Sequence, residues 1–378
     1  MSSNSRIRMS AAIAGIAALA FPLAACGSDA EGEVTAGMGN ATPLPAAGAP
    51  SGDGNEGVAG DVVKLPKNVT GALAVGDRIL LRAGAEVLSG TPDDPAMKVN
   101  EVDEACGDLA PGANVAVLPC PDGIHVLARD GSATAVIGRG TAYSAAVGLA
   151  DGRIVGHRSD SDRVDVFGAD GEHADDFAVS RTGSQLLSVP SDRESAVLIE
   201  INRAETSLHE IILDESRPGS GLRAGIGVGP AAVGADGTVA AVDVKGGQLL
   251  VYTADDIVRL HNSTPVPEGP WAVAVDSDRG LVWVTSTVDG VLTAYDISEG
   301  TALKAAQLPT IADAQALVIT DDGGLVAYSA SGAGAQHVTA GDVAKALEEG
   351  KADLDAERAL MEPREPKDRL PAGDGDGE

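Results

Sequence analysis

Over residues 62–340 short apolar runs alternate with turns rich in Asp and Gly. Residues 270–300, PWAVAVDSDRGLVWVTSTVDGVLTAYDISEG, set the pattern: three runs of valine, leucine and aromatic residues separated by two turns. PAAVGADGTVAAVDVKGGQLLVYTADD from Pro230 and AQALVITDDGGLVAYSASGAGAQHVTAG from Ala314 repeat it. β-Branched residues are common and apolar spacing of three and four is missing, so the runs predict strands rather than helices. One such unit is too small to fold alone.

The first turns of successive units fall at Asp77, Gly112, Gly152, Glu194, Gly237, Gly280 and Gly324, separated by 35, 40, 42, 43, 43 and 44 residues. A column in the third run keeps the same phase: Leu127, Phe167, His209, Tyr252, Tyr295 and His337. A period of about 40–45 residues with four short strands per unit marks a β-propeller blade. Packing each blade on the next buries both faces, and closing the ring removes the end blades. The expected fold is an all-β propeller. Seven anchors predict seven blades, and the irregular stretch 87–112 leaves six open. The last unit runs out of chain after its third strand near Thr339, so VVKLPKNV, residues 62–69, is expected to supply the missing strand and latch the ring.

Ahead of the repeats, Arg6 and Arg8 precede MSAAIAGIAALAFPLAA and then Cys26. A basic patch, a short apolar core and small residues make a secretory signal. The run is short for a membrane span of about 20 residues, and Pro22 interrupts it. Leu23-Ala24-Ala25-Cys26 resembles the bacterial lipobox, which implies cleavage before Cys26, a diacylglycerol on its thiol and palmitate-type acylation. Two or three acyl chains hold a protein stably to a bilayer. The expected organisation is a lipoprotein signal peptide over 1–25, a disordered tether over 26–61, the propeller over 62–340, a short helix over 341–361 and a disordered acidic tail over 362–378. The tether is mostly Gly, Ala, Pro, Ser and acid, and a coil of about 35 residues reaches roughly 30 Å. The expected location is the extracytoplasmic face of the cell membrane.

Two further cysteines, Cys106 and Cys120, pair well with export. They flank GDLAPGANVAVLP, in which Pro111-Gly112-Ala113 looks like a hairpin turn. Facing residues in a hairpin keep a constant position sum, and a pairing centred on Ala113 sets Cys106 opposite Cys120, close enough to form a disulfide. A closed loop of about 15 residues contributes roughly 3 kcal/mol in the chain-entropy picture.

The chain carries 27 Lys and Arg against 56 Asp and Glu, a formal charge of −29. Cleavage before Cys26 removes two arginines and no acid, giving about −31. Such a surface repels phosphate backbones, so nucleic acid is not an expected partner. Solubility, or a salty or acidic habitat, accounts for the charge more simply than a cationic partner does. The GDGDGE ending lacks the length and final spacing of a calcium loop.

PWAVAVD, LVWVTS and VLTAYD together resemble the YVTN-type propeller repeat, itself WD-repeat-like, with Trp283 at the tyrosine position and Ser286 at the asparagine position. GGQLLVY (residues 246–252) and SGAGAQHV (residues 331–338) resemble actinobacterial propeller lipoproteins of the LppL type. The resemblance runs from about Leu65 to Ala340. It implies an exported, lipid-anchored propeller without an assigned reaction, and it carries over no catalytic residue.

The chemistry-bearing residues are scattered. His125, His157, His173, His209, His261 and His337 form no HxH, HxxH or HxxxH pair, so packing roles outweigh a zinc site. No GxSxG elbow occurs. Asp243, Asp276, Asp296 and Asp321 recur near blade turns, where Asp bonds its own backbone. A channel metal would need some of them to face the ring axis. Trp271 and Trp283 are too few for a quinone cofactor held by tryptophans, and the glycines of GIGVGPAAVG (residues 225–234) miss the dinucleotide spacing. No catalytic, cofactor-binding or metal residue is assigned, and no cofactor is expected. The leading reading is a monomeric, non-enzymatic binding or scaffold lipoprotein with an envelope protein or small ligand as partner. A propeller hydrolase or lactonase with a channel metal, and a metal-delivery protein, remain as alternatives.

Overall fold

Each repeat folds into one four-stranded antiparallel sheet, and seven sheets form the ring of a β-propeller. A computed structural model describes residues 37–45, 57–92, 98–179, 183–191, 196–254 and 257–361. The stretch expected to be a signal peptide, Cys26, Glu194 and the acidic C-terminal residues lie outside them.

Blade 1 is β2 (Gly71–Val75), β3 (Arg78–Ala83), β4 (Glu86–Gly90) and β5 (Lys98–Glu101). Blade 2 is β6 (Ala110–Pro111), β7 (Ala116–Cys120), β8 (Gly123–Leu127) and β9 (Ala133–Ile137). Blade 3 is β10 (Tyr143–Gly148), β11 (Ile154–Arg158), β12 (Arg163–Phe167) and β13 (His173–Ala178). Blade 4 is β14 (Gln185–Val189), β15 (Val197–Asn202), β16 (Ser207–Ile212) and β17 (Arg217–Arg223). Blade 5 is β18 (Val228–Val233), β19 (Val239–Asp243), β20 (Gln248–Thr253) and β21 (Arg259–Pro265). Blade 6 is β22 (Pro270–Asp276), β23 (Leu281–Ser286), β24 (Val291–Asp296) and β25 (Leu303–Pro309). Blade 7 is β26 (Ala314–Ile319), β27 (Leu325–Ser329) and β28 (Ala335–Val338), completed from the other end of the chain by β1 (Asp61–Val63).

The alternation within β23 explains why such strands read as unbroken apolar runs. Val282 and Val284 pack towards blade 5, whereas Leu281 and Trp283 pack towards blade 7. With side chains alternating at period two, a strand between two neighbours must be apolar on both faces. The core is correspondingly divided into seven clusters, one in each gap between adjacent blades. The cluster that shuts the ring sets Val326 and Tyr328 of blade 7 against Ile79, Leu81 and Leu88 of blade 1. β1 then pairs with β28, Val62 opposite Gln336, so the latch forms from the segment the sequence nominated.

The turn anchors also fall into place. Asp77, Gly112, Gly152, Gly237, Gly280 and Gly324 each sit between the first and second strands of a blade, all at one end of the ring. Gly237 and Gly280 have φ of 81° and 64°, where a side chain would be strained. Two column entries need correction. Tyr295 faces Val282 on the side of blade 5, whereas His337 faces Val326 on the side of blade 1, so Val338, opposite Leu325 and turned towards blade 6, holds that place in blade 7. In blade 4 the residue in that register is Ile211, opposite Leu198, not His209. The two-residue slip kept the side-chain parity, so spacing alone concealed it.

The helix α1 (Ala340–Met361) starts where Thr339 caps it: Asp342 N–H donates to Thr339 Oγ1 at 3.2 Å, and that hydroxyl donates to the Asp342 carboxylate at 2.7 Å. Val343, Ala346 and Leu354 pack into the core shared by blades 6 and 7, and Arg358 reaches Asp296 at 2.6 Å. The helix thereby covers β25, the outer strand of blade 6, whose edge would otherwise be open to pairing with another chain. Two pieces of the Gly/Ala/Pro stretch read as tether also pack on the ring. Residues 38–45 cross one end of it, and Val58 and Ala59 join the core between blades 6 and 7.

Candidate functional site at the channel mouth

The first strands of blades 1, 2, 4, 5, 6 and 7 line cavities on the ring axis, and the starts of these strands gather at one end, here called the mouth. A cavity of about 160 Å³ at the mouth is bordered by Thr70, Gln185, Trp271 and Gln315 near those starts, and by the loop residues Asp108 and Arg203. It shares Ala72, Leu109, Ala231, Val273 and Leu317 with a deeper chamber of about 330 Å³. Leu73, Leu187, Val233, Val275 and Ile319 line that chamber, whose polar side chains are Gln185 and Ser188. The channel is therefore apolar inside and polar at its entrance.

The polar rim is held in place from below. Gln185 Nε2 donates to Ala231 O at 2.8 Å and its Oε1 accepts from Ala231 N–H at 3.1 Å, so the amide bridges blades 4 and 5. Thr285 does the same between blades 6 and 7, accepting from Ala272 N–H at 3.0 Å and donating to Ala314 O at 2.8 Å. Arg203 follows β15 of blade 4, and its Nη2 meets Asp108, just ahead of blade 2, at 3.3 Å. This ion pair passes over blade 3 at the mouth.

Residues 38–45 lie along the same end. Gly39 N–H donates to Ile226 O at 3.2 Å, Ala41 is buried with Val242, Val244 and Trp271, and Thr287 Oγ1 donates to Leu44 O at 2.6 Å. The segment thus borders the mouth from blade 5 to blade 6.

The residues singled out from the sequence do not converge there. Cys106 and Cys120 are bonded, with Cα atoms 4.1 Å apart. The register that joins them differs from the one expected: Ala110 pairs with Val117 and Pro111 with Ala116, half a residue off a centre on Ala113. Gly107 N–H to Pro119 O at 2.8 Å restores the expected sum beyond an irregularity, and Cys106 sits in the loop before β6. Asp243 accepts from the N–H groups of Ile226, Gly227 and Gly246 at 3.1, 2.9 and 3.0 Å, fastening a loop. Asp276 holds Arg279 at 2.7 Å and Asp296 holds Ser298 and Arg358. Asp321 borders a separate 330 Å³ cleft at the far end with Asp77, Asp322 and His337. Trp271 is at the mouth, and Trp283 is fully buried. His209 is half-buried, bonds Ser207 at 2.9 Å and has its pKa lowered by burial.

Three side-chain groups escaped the sequence reading, two of them because separate strands assemble them. His157 and Glu200, both fully buried, join blades 3 and 4 with Nε2 3.3 Å from Oε1. Ser144 Oγ lies 3.5 Å from His157 Nδ1, completing a Ser-His-Glu set. Its proton arrangement is the reverse of a catalytic one. Nδ1 faces Arg158 O at 2.8 Å and must donate there, Gly183 N–H points at Nε2 from 3.2 Å, and Ser144 donates to Gly183 O at 2.8 Å. The ring nitrogen next to the hydroxyl cannot accept its proton, so the set stitches blades.

In blade 3, Asp165 accepts from Tyr143 Oη at 2.6 Å and from Arg158 at 3.0 and 2.5 Å, with His173 at 3.3 Å. Burial alone would raise its pKa, but these donors hold it below the ordinary carboxylate value. Burial, then Asp165 itself, raises that of Tyr143. The Arg158 guanidinium already occupies the position a cation would take between Asp165 and Asp176. The third group is Cys120, Asp122 and His125, at the turn between β7 and β8.

No family model matches the chain, and no curated protein is similar to it in sequence. Its fold is similar to that of solved propellers. Kuenenia stuttgartiensis hydrazine synthase aligns at a TM-score of 0.60 with 13% identity, covering 74% of this chain and 97% of that one. A streptogramin B lyase aligns at 0.57 with 13% identity over 73% and 96%, and U3-55K at 0.59 with 11% identity over 71% and 90%. At such identities the likeness establishes the seven-blade fold, and a fold hosting such different proteins selects no chemistry.

Proposed function

We propose that the protein is an extracytoplasmic, lipid-anchored, non-enzymatic binding protein, which takes an envelope protein or small ligand at the mouth of its channel. The mouth supports this reading: amide, indole and ion-paired side chains converge on a rigid rim above an apolar chamber, an arrangement suited to recognition. The anchor rests on the lipobox-like sequence ending at Cys26 and on the YVTN-type, LppL-like character of the repeats. Among the described residues no helix is long and apolar enough to cross a membrane.

The hydrolase alternative calls for acids around the axis, whereas Asp243, Asp276 and Asp296 are engaged in loops and Asp321 borders the far-end cleft.

Fractionation of cells expressing the full chain or Cys26→Ala, with labelled palmitate, tests the anchor. Labelled protein in the membrane fraction, and unlabelled Cys26→Ala released from it, is the expected result. Unlabelled wild-type protein in the soluble fraction would overturn it.

A further inference from the structure

The turn between β7 and β8 is built from metal-ligand chemistry that the disulfide holds shut. Cys120 pairs with Gly123, so Pro121 and Asp122 form a two-residue turn and His125 follows on β8. Ligand atoms of Cys120, Asp122 and His125 lie within 4.8 Å of one another, with His125 Nε2 2.8 Å from Asp122 Oδ1. Cys106 Sγ is bonded to Cys120 Sγ, which puts a fourth ligand atom at the same place. Two sulfurs, an imidazole and a carboxylate match the ligand types of tetrahedral zinc, and the sulfurs favour it over magnesium or calcium.

The disulfide is not the sole support of the Cys106 loop. Arg82, almost fully buried, points Nη2 at the carbonyls of Asp103, Glu104 and Cys106 at 3.0, 3.3 and 3.2 Å. Gly107 N–H is bonded to Pro119 O at 2.8 Å. These bonds keep Cys106 beside Cys120 when the sulfur–sulfur bond opens. Bonded sulfurs are not thiolates, so the oxidised protein lacks two of the four ligands.

We propose that Cys106, Cys120, Asp122 and His125 form a zinc-type cation site that is available only in the dithiol state. A dithiol reductant gives two electrons and two protons to the disulfide, leaving two thiols here and a disulfide on the reductant. Binding of Zn²⁺ then releases both thiol protons as two sulfur–metal bonds form. The site occupies one blade turn and its adjoining loop, and it stands or falls independently of the mouth and of the lipid anchor.

The test uses the purified mature chain, oxidised or treated with a phosphine reductant, titrated with Zn²⁺ against a chromophoric chelator. A parallel Co²⁺ titration reads thiolate-to-metal absorption. The reduced protein is expected to bind one zinc and show the thiolate band, and the oxidised protein to do neither. His125→Ala and Cys106→Ser, both under reducing conditions, should each weaken zinc binding by more than about 100-fold, beyond the usual effect of losing an outer-sphere partner. Near-ultraviolet circular dichroism must stay native on reduction. Equal binding by oxidised and reduced protein, unchanged affinity in His125→Ala, or loss of native structure on reduction would each overturn the proposal.

Discussion

Gln185 presents its side-chain amide to the backbone of Ala231 as if it were a peptide group of a neighbouring strand, donating at 2.8 Å and accepting at 3.1 Å. The innermost strand of a blade has a free edge towards the axis, and this contact satisfies part of that edge in blade 5. Gln185→Leu keeps the size and removes both bonds. A buried backbone group left unpaired costs about 1–3 kcal/mol, less where cavity water reaches it. The expected loss is about 2 kcal/mol, read as a lower urea midpoint with an unchanged slope. An unchanged midpoint would show that the rim is not held this way.

Ring closure concentrates on Gln336. Its Oε1 accepts from Thr310 Oγ1 at 2.6 Å and Ile311 N–H at 3.1 Å, while Nε2 donates to Ala59 O at 2.8 Å and Pro309 O at 3.0 Å. One fully buried side chain thus ties blade 7 to blade 6 and to the segment leading into β1. Gln336→Leu should lower Tm by on the order of 10 °C, from roughly 4 kcal/mol of unpaired groups. It should also open the chain to proteolysis between residues 57 and 70. A fall in Tm without new cleavage there would place the loss elsewhere.

The Asp165 cluster predicts an acid dependence with a definite sign. Its folded pKa lies below the ordinary carboxylate value, so its contribution is fully present above about pH 4 and is lost as pH falls through the folded pKa. Asp165→Asn should therefore cost about 2–3 kcal/mol at pH 7, because Arg158 loses its partner and Tyr143 its acceptor. The gap from wild type should narrow towards pH 2. Comparing the two proteins at each pH cancels the changing self-repulsion of an acidic chain. A gap that widens in acid would contradict the assignment.

Much of this ring is legible in the sequence. The first-turn anchors work because a tight turn at the same end of the six blades whose turns are described favours Asp and Gly there, and the latch is visible as a strand missing from blade 7. What spacing could not deliver was register. His209 stood in for Ile211 because a shift of two preserves the face, and the Cys106–Cys120 hairpin was placed half a residue off while its disulfide was still found. The stitches between blades were out of reach for a deeper reason. Gln185 and Ala231, or His157 and Glu200, meet only after a whole repeat has closed, and nothing local distinguishes such a glutamine or histidine from a surface one. The same holds for the mouth, whose rim is drawn from several blades at once.

The claim that matters most is that binding occurs at the mouth, and site-specific photocrosslinking in intact cells tests it most directly. A photoreactive residue at Gln315 or Trp271 samples the mouth, and one at Asp236 or Asp278 samples the turns at the far end. Discrete adducts from the two mouth positions, with none from the two far-end positions, are predicted. Adducts confined to the far end would contradict the account.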